Sequence, residues 1–290
     1  EDDPLARAAA KQRAQLLELH SKAADWFHDY LMKGKEPDAQ NARNYLKGRG
    51  LNGDVANRWN IGFAPANGDV FARWARENNY RGKLMAASGL MSLREETNPS
   101  RGLYSRFRDR VMFPLNNDFG ETVAFSGRIL DPNAKTAKYV NSPETELFSK
   151  SKIFFGLDKS KRAISKSQSV IICEGQLDMI SCFESGIENV VAPLGTAFTD
   201  HHSRTLRRFA GERAEALLCF DSDNAGYKAS VRAYKSLSAS GIFVRAVKLP
   251  AGEDPDSLIT SKGASAFQLL IDNARPFYHF QIDQLNDSLD

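Results

Sequence analysis

Asp221 and Asp223 stand one residue apart in the stretch LLCFDSDNAGYKAS, directly after an apolar run. Two carboxylates so close repel, and burying them is costly unless something positive lies between them. Three chemistries place acids this way: a calcium loop, a phosphotransfer aspartate and a magnesium site. Two other apolar runs also end in acids. SVIIC leads into Glu174, and VRAVKLP leads through Gly252 to Asp254 and Asp256 in GEDPDS. Asp178 follows Glu174 by four residues, near the start of a predicted helix, where negative charge is favoured.

The calcium reading fails on spacing. DSDNAG fits positions 1, 3 and 6 of an EF-hand loop, but position 5 is Ala225 and position 12 is Arg232, and a strand precedes it. A phosphotransfer aspartate after a strand expects a hydroxyl residue where Ala225 stands, and leaves Glu174 and the DPD acids without a role. Side chains at i and i+2 of an extended segment share a face, so Asp221 and Asp223 can reach one ion. Glu174 joins them if its strand is adjacent. Acids at three strand ends suit hard, oxygen-bound cations, Mg2+ or Mn2+. Taken singly, each acid has a structural reading. Glu174 and Asp178 can be helix-start acids and Asp221 a turn residue, while Asp254 before Pro255 makes a good N-cap and N1 pair. Their clustering at one edge of one sheet is what favours the metal. No phosphate loop, dinucleotide fingerprint or serine nucleophile elbow occurs.

The elements that must position these acids are legible from Ser169 onward. Strands at 169–173, 189–194, 215–220 and 242–250 alternate with helices at 176–186, 199–211 and 225–241. That alternation predicts a mostly parallel sheet with helices on both faces, and ligands in such sheets sit outside the carboxyl ends of the strands. Upstream the texture differs. Residues 5–32 carry helical apolar spacing (Leu16, Leu17, Leu19, Ala23, Trp26, Phe27, Tyr30, Leu31), and shorter helices follow from Asp38 to Gly48, after Asn52 and over 68–79. Residues 95–102 read as a loop. RVMFPLNNDFGETVAFSGRIL reads as two strands with a turn at 117–120. Alternation there also places Arg106, Arg108 and Arg110 on one strand face, toward solvent or nucleic acid. The fold class is α/β, with an α+β N-terminal part.

The 290 residues are 42% hydrophobic and 26% charged, ordinary for one large or two medium domains. No apolar run nears the roughly 20 residues of a membrane helix. The acidic start EDDPLARAAAKQRAQ has no apolar core of a signal peptide; it is expected to be a linker or the start of an excised domain. Cys173, Cys182 and Cys219 lie in apolar settings without a Cys-x-x-Cys pair, as buried thiols of a reducing cytoplasm would. The net charge of +3 is uneven, with 13 Lys/Arg against 7 Asp/Glu between Arg101 and Lys166. A basic segment ahead of an acidic site suits an anionic polymer held beside a cation-dependent centre, although charge alone favours a solvated basic surface.

IICEGQLD and CFDSDNAG resemble the signature of the Toprim family, a strand ending in Glu-Gly and a later strand ending in Asp-x-Asp. YLKGRGL, WNIGFAP, RFRDRVMFPLNN, FSGRIL, KYVNSPETELFSKSKIFFGLD and GEDPDSL together resemble bacterial replicative DNA primases over residues 40–265. One local departure is Gln176–Leu177, where many members carry an aromatic or hydrophobic residue.

The resemblance implies an N-terminal basic subdomain over residues 1–165, a Toprim catalytic subdomain over 166–260 and the start of a helical subdomain over 261–290. It implies a nucleotidyltransferase that makes short RNA primers on single-stranded DNA from ribonucleoside triphosphates, in the cytoplasm. Glu174, Asp221 and Asp223 match the family's catalytic metal-binding acids, with two Mg2+ or Mn2+ ions. Asp178, Asp254 and Asp256 match further acids of that site. Arg49, Arg106, Arg108, Arg110, Arg128, Lys138, Tyr139 and Asn141 match template and nucleotide positions. Ser222 is expected to face away from the ion. Zinc belongs to an N-terminal domain, and replicative-helicase binding to a C-terminal domain, that this sequence does not contain. Other Toprim classes make different demands: a nuclease would cut DNA with the same metals, and a non-catalytic binding module would not need all the acids.

Overall fold

Asp3 opens the first helix, α1 (Pro4–Lys33), as an N-cap whose side chain accepts from Leu5 N–H at 2.9 Å, with Pro4 in the first turn. The computed structural model describes residues 3–287 except 81, 94–101, 132, 196–197 and 222. Most of the expected loop at 95–102, and Ser222, lie outside the described residues. The chain divides into two units, residues 1–116 with 121–149 and residues 117–120 with 150–290.

In the first unit, α1 buries Leu16, Leu19, Ala23, Phe27 and Leu31 of the expected stripe, while Leu17, Trp26 and Tyr30 at its margin are half-buried. Then come α2 (Pro37–Gly48), α3 (Gly53–Arg58), β1 (Gly62–Ala64), α4 (Asp69–Glu77), α5 (Gly82–Ala87), β2 (Met91–Leu93) and β3 (Leu103–Ser105). They are followed by β4 (Arg110–Asn116), β5 (Thr122–Ile129) and β6 (Tyr139–Asn141). Strands β4 and β5 form the expected antiparallel hairpin. Two short edge strands complete a four-stranded sheet in the order β1-β4-β5-β6, and β2 pairs with β3 separately. Phe27 stacks on Phe71 at 4.9 Å and meets Phe125 edge-on at 5.6 Å, tying α1 to α4 and to the sheet.

The second unit holds α6 (Leu157–Ser167), β7 (Ser169–Cys173), α7 (Gln176–Glu184), β8 (Val190–Val191), α8 (Asp200–Ala210) and β9 (Glu215–Cys219). It continues with α9 (Asn224–Ala239), β10 (Phe243–Ala246), α10 (Pro255–Lys262), α11 (Ala264–Asp272), β11 (Arg275–Pro276) and α12 (Phe277–Asp287). The sheet order is β11-β10-β9-β7-β8. Strands β7 to β10 run parallel, and β11 pairs antiparallel with β10. Val170, Ile172, Ala216, Leu218, Val244 and Ala246 pack with α6, α8 and α9 in one core. Alternation turns Ile171, Cys173, Leu217 and Cys219 to the opposite face, where they are also buried. Both faces being covered is why these strands read as unbroken apolar runs.

The chain leaves β7 for β8 on one side and returns to β9 on the other. The order therefore reverses between β7 and β9, the crevice where open α/β sheets bind their ligands. Cys173 and Cys219 are register partners there, so Glu174 and Asp221 emerge side by side at the strand ends.

Candidate functional site

At the β7–β9 crevice the backbone N–H of Asp221 donates to Glu174 Oε1 at 2.9 Å. Asp223 is the N-cap of α9, its Oδ1 accepting from Gly226 N–H at 2.7 Å. Gly226 is required by close approach. A Cβ there would lie 2.2 Å from the Asp221 carbonyl oxygen and 2.7 Å from Glu174 Oε1. Burial raises the pKa of Glu174. The Asp221 amide opposes this, and the charges of Asp221 and Asp223 add to it.

The remaining acids sit on an adjoining seam between α7 and α10. Asp178 is half-buried, and the desolvation of its carboxyl lifts its pKa well above the usual carboxylate range; the charge of Asp254 adds to this. Its Oδ1 accepts from Asp256 N–H at 3.3 Å, and Ser181 Oγ donates to Asp256 Oδ1 at 2.5 Å. Asp254 closes a capping box on α10. Its Oδ1 accepts from Ser257 N–H at 2.7 Å, and its own N–H donates to Ser257 Oγ at 3.0 Å. The structural reading of Asp254 and Pro255 is thus realised, and it coexists with proximity to the other acids.

These residues fit a hard divalent cation. Burial and neighbouring carboxylates raise the proton affinity of Glu174 and of Asp178, a cost that a cation relieves. Among the described residues, no three acidic, histidine or cysteine side chains converge into a ready-made cage. One reason is visible: Glu174 Oε1 and Asp223 Oδ1 already serve backbone amides. Mg2+ needs no closed cage. It is commonly held by one or two carboxylates, with water and substrate phosphates completing the shell.

The predicted nucleic-acid residues lie in the first unit and divide into two groups. Arg128 on β5 is opposite Tyr139 on β6, so their side chains share a face. The Arg128 guanidinium lies 5.8 Å from the Tyr139 ring and 4.9 Å from the Tyr45 ring, and the Arg49 guanidinium lies 5.7 Å from the Tyr45 ring. Arg128 is only 6% exposed, and its Nε has no hydrogen-bond partner among the described residues; the same holds for Tyr45 Oη. Lys138 is exposed beside this cluster, and Asn141 follows Tyr139 on the same strand face.

Arg106, Arg108 and Arg110 do not share a strand face, contrary to the alternation argument. Strand β3 ends at Ser105 and β4 begins at Arg110; between them Asp109 has a left-handed backbone (φ 51°), which breaks the alternation. Arg106 is half-buried, with Nε donating to Asn141 O at 3.2 Å. Arg108 is exposed near the Tyr104 ring. Arg110 is buried, and its guanidinium donates to the carbonyls of Gly127, Ala137 and Lys138 and to Thr136 Oγ1 at 3.0–3.3 Å. It is a clip that holds the segment leading into β6. Tyr45 was missed by sequence reasoning, because it meets Arg128, which in turn meets Tyr139, and these residues are far apart in the chain. Arg232, singled out only to dismiss a calcium loop, shares a pocket with Glu174.

No described helix is long and apolar enough to cross a membrane. Residues 26–161 match the family model for the DNA primase catalytic core, N-terminal domain, and residues 171–259 match the Toprim-like model. The chain is 38% identical over 272 residues to the DNA primase of Enterococcus faecalis, covering 91% of this chain and 42% of that protein. It is also 38% identical over 274 residues to the DNA primase of Pseudomonas aeruginosa, covering 93% and 40%. The chain thus spans about two fifths of the length of these relatives. The crystal structure of a DNA primase domain from P. aeruginosa is similar, with a TM-score of 0.83, 38% identity and coverage of 93% of this chain and 82% of that one. A DnaG primase catalytic domain bound to ssDNA has a TM-score of 0.81, 33% identity and coverage of 97% and 85%.

Proposed function

The chain belongs to the DNA primase family, and from that premise we propose that it is the RNA-polymerase core of a primase, joining ribonucleotides into short RNA primers on single-stranded DNA. The observation that carries this reading is the meeting of Glu174 and Asp221 at the strand-order reversal, with Asp223 capping the next helix. In this reading residues 1–165 form the basic subdomain, 166–260 the Toprim subdomain and 261–290 the start of a helical one.

Glu174, Asp221 and Asp223 are the acids that would hold Mg2+ or Mn2+, as two ions. When bound, such ions lower the pKa of a primer 3′-hydroxyl and screen the triphosphate and leaving pyrophosphate. The protein's part is to position and to supply charge. The Asp221 amide fixes the Glu174 carboxylate, and the α9 N-terminus orients Asp223. Asp178, Asp254 and Asp256 add negative charge along the α7–α10 seam. Arg49, Arg128 and Lys138 would grip phosphates, Tyr139 would offer a ring for stacking and Asn141 a polar contact. Arg106 and Arg108 would extend that basic surface, and Arg110 would act indirectly by fixing β6. The template, ribonucleoside triphosphates and primer are the partners of this core, with replicative helicase a partner of the whole protein, in the cytoplasm.

One reaction tests the reading: single-stranded template, ribonucleotides and Mg2+ or Mn2+. New RNA primers support it. Shortened template would make the chain a nuclease, and bound but unchanged DNA would make it a binding module.

A further inference from the structure

The turn at residues 117–120 belongs to the second unit, where Asp118 joins α6 to α8. Its carbonyl accepts from Lys161 Nζ at 2.5 Å, and its carboxylate forms an ion pair with Arg208. Asn117 fixes the turn: its Oδ1 accepts from Phe119 N–H at 3.0 Å and its carbonyl from Gly120 N–H at 3.0 Å. Phe119 is thereby held on the surface, 83% exposed. Single exposed apolar residues are ordinary, but this one stands among cations. Helix α6 carries four Lys/Arg against one Asp, and α8 three against one. His201, Arg204 and Arg208 stand at i, i+3 and i+7, one face of α8. Burial lowers the pKa of His201, and the charges of Lys152, Arg204 and Arg208 lower it further, so these cations converge. Lys152, Arg162 and Arg204 are exposed and make no hydrogen bond or ion pair among the described residues. Arg204 is one helical turn from Arg208, and Arg162 follows Lys161, so both flank the turn that carries Phe119.

Leu157 and Ile164 of α6 and Leu206 and Ala210 of α8 pack into the sheet core, which leaves the cations on the outer side of the two helices. That side offers two kinds of contact, unpaired point charges and a fixed ring face. A single strand answers both, because its phosphates can follow the cations and every unpaired base has a π-face. A duplex keeps its base faces stacked, and an acidic peptide answers only the charges. We propose that the outer side of α6 and α8, with the 117–120 turn, is a second binding surface for single-stranded DNA. Lys152, Arg162 and Arg204 hold phosphates there, and Phe119 stacks on a base. The surface gives the strand a hold apart from the acid crevice and apart from the first-unit cluster around Arg128. The inference rests on the polymerase reading only where it names that strand as template.

Oligothymidylate binding, followed by fluorescence anisotropy over a range of salt, separates the ring from the charges. The unmodified chain is compared with Phe119→Ser, Phe119→Tyr and the double variant Arg162→Ser/Arg204→Ser. All three substituted positions are exposed, so the melting temperature should not move. Phe119→Ser should weaken binding about tenfold, the contribution of one stacked base, with the salt slope unchanged. Phe119→Tyr should restore it. The double variant should lower the slope of log affinity against log salt by about 1.4, two phosphate contacts at about 0.7 each. The proposal is overturned if Phe119→Ser binds as tightly as the unmodified chain, or if the double variant keeps the slope. It is also overturned if polyglutamate binds the unmodified chain as tightly as oligothymidylate and loses affinity in the double variant, since the surface would then be a dock for acidic protein. Primer synthesis is a separate readout: Phe119→Ser should raise the template concentration needed for half-maximal rate and leave kcat little changed. An unmodified chain that binds DNA in this way and makes no primer would sink the polymerase reading and leave the surface standing.

Discussion

The backbone amide of Asp221 donates to the side chain of Glu174, so the acid at the end of β7 is held by the chain leaving β9. Glutamine at position 174 could accept the same bond through its amide oxygen while losing the charge. Glu174→Gln is therefore expected to melt within a few degrees of the unmodified chain and to lose primer synthesis by about 100-fold or more. A primer-synthesis assay beside a thermal melt checks both halves. A folded and fully active Glu174→Gln would remove Glu174 from the site.

Asp223 has two duties that substitution can separate. Asparagine caps a helix about as well as aspartate, whereas alanine costs about 1 kcal/mol. Asp223→Asn should keep the melting temperature and Asp223→Ala should lower it, with both losing primer synthesis. Should Asp223→Asn stay active, the cap would be its whole role.

Gly226 sits inside a helix, where alanine is normally better by about 1 kcal/mol. Here the added methyl would meet the Asp221 carbonyl and Glu174 Oε1. The clash should win: Gly226→Ala is expected to lower both stability and activity. A melt that rises, with activity kept, would show that the approach of α9 to β7 is looser than described.

The rings of Tyr45 and Tyr139 lie 4.9 and 5.8 Å from the Arg128 guanidinium, whose buried Nε is without a partner among the described residues. Truncating the ring in Tyr45→Leu should weaken single-stranded DNA binding several-fold. The slope of log affinity against log salt should fall by about 0.7, the loss of one phosphate contact although no charge was removed. Tyr45→Phe should retain the slope. Equal slopes in all three proteins would leave Tyr45 a packing residue.

His20 and His202 are buried, and burial lowers the pKa of each from 6.5 to about 4. His20 Nε2 faces the Ser88 carbonyl at 2.9 Å, and its Nδ1 has no partner among the described residues, so a second proton there has nothing to bond. The unfolded chain takes up these protons near pH 6.5 and the folded chain only near 4. Stability should thus be full above about pH 6.5 and fall progressively as the pH drops toward 4. Denaturant midpoints across that window test this, and His20→Gln should flatten part of the decline.

The acids were legible in the sequence because each ends a strand whose apolar run is continuous. Adjacency of β7 and β9 was the missing condition, and parallel pairing supplies it. What stayed hidden was short or non-local. Strand β1 lies in WNIGFAP and β6 in KYVN; three residues carry no period to detect. Arg110 was assigned to a solvent face by counting along RFRDR, and the left-handed turn at Asp109 defeats that count. The Tyr45 cluster joins residues 45, 128 and 139, which only the sheet register brings together.

Cys173, Cys182 and Cys219 are each at most 1% exposed, and Cys173 lies within hydrogen-bonding reach of the other two beneath the acid crevice. All the thiols of the chain thus report on one place. A thiol reagent can react with them only when the β7–β9 pair or α7 opens, so the rate of labelling is a clock for opening of the catalytic sheet. A cation or nucleotide that bridges Glu174 and Asp221 would slow that clock, which makes ligand occupancy measurable without any turnover.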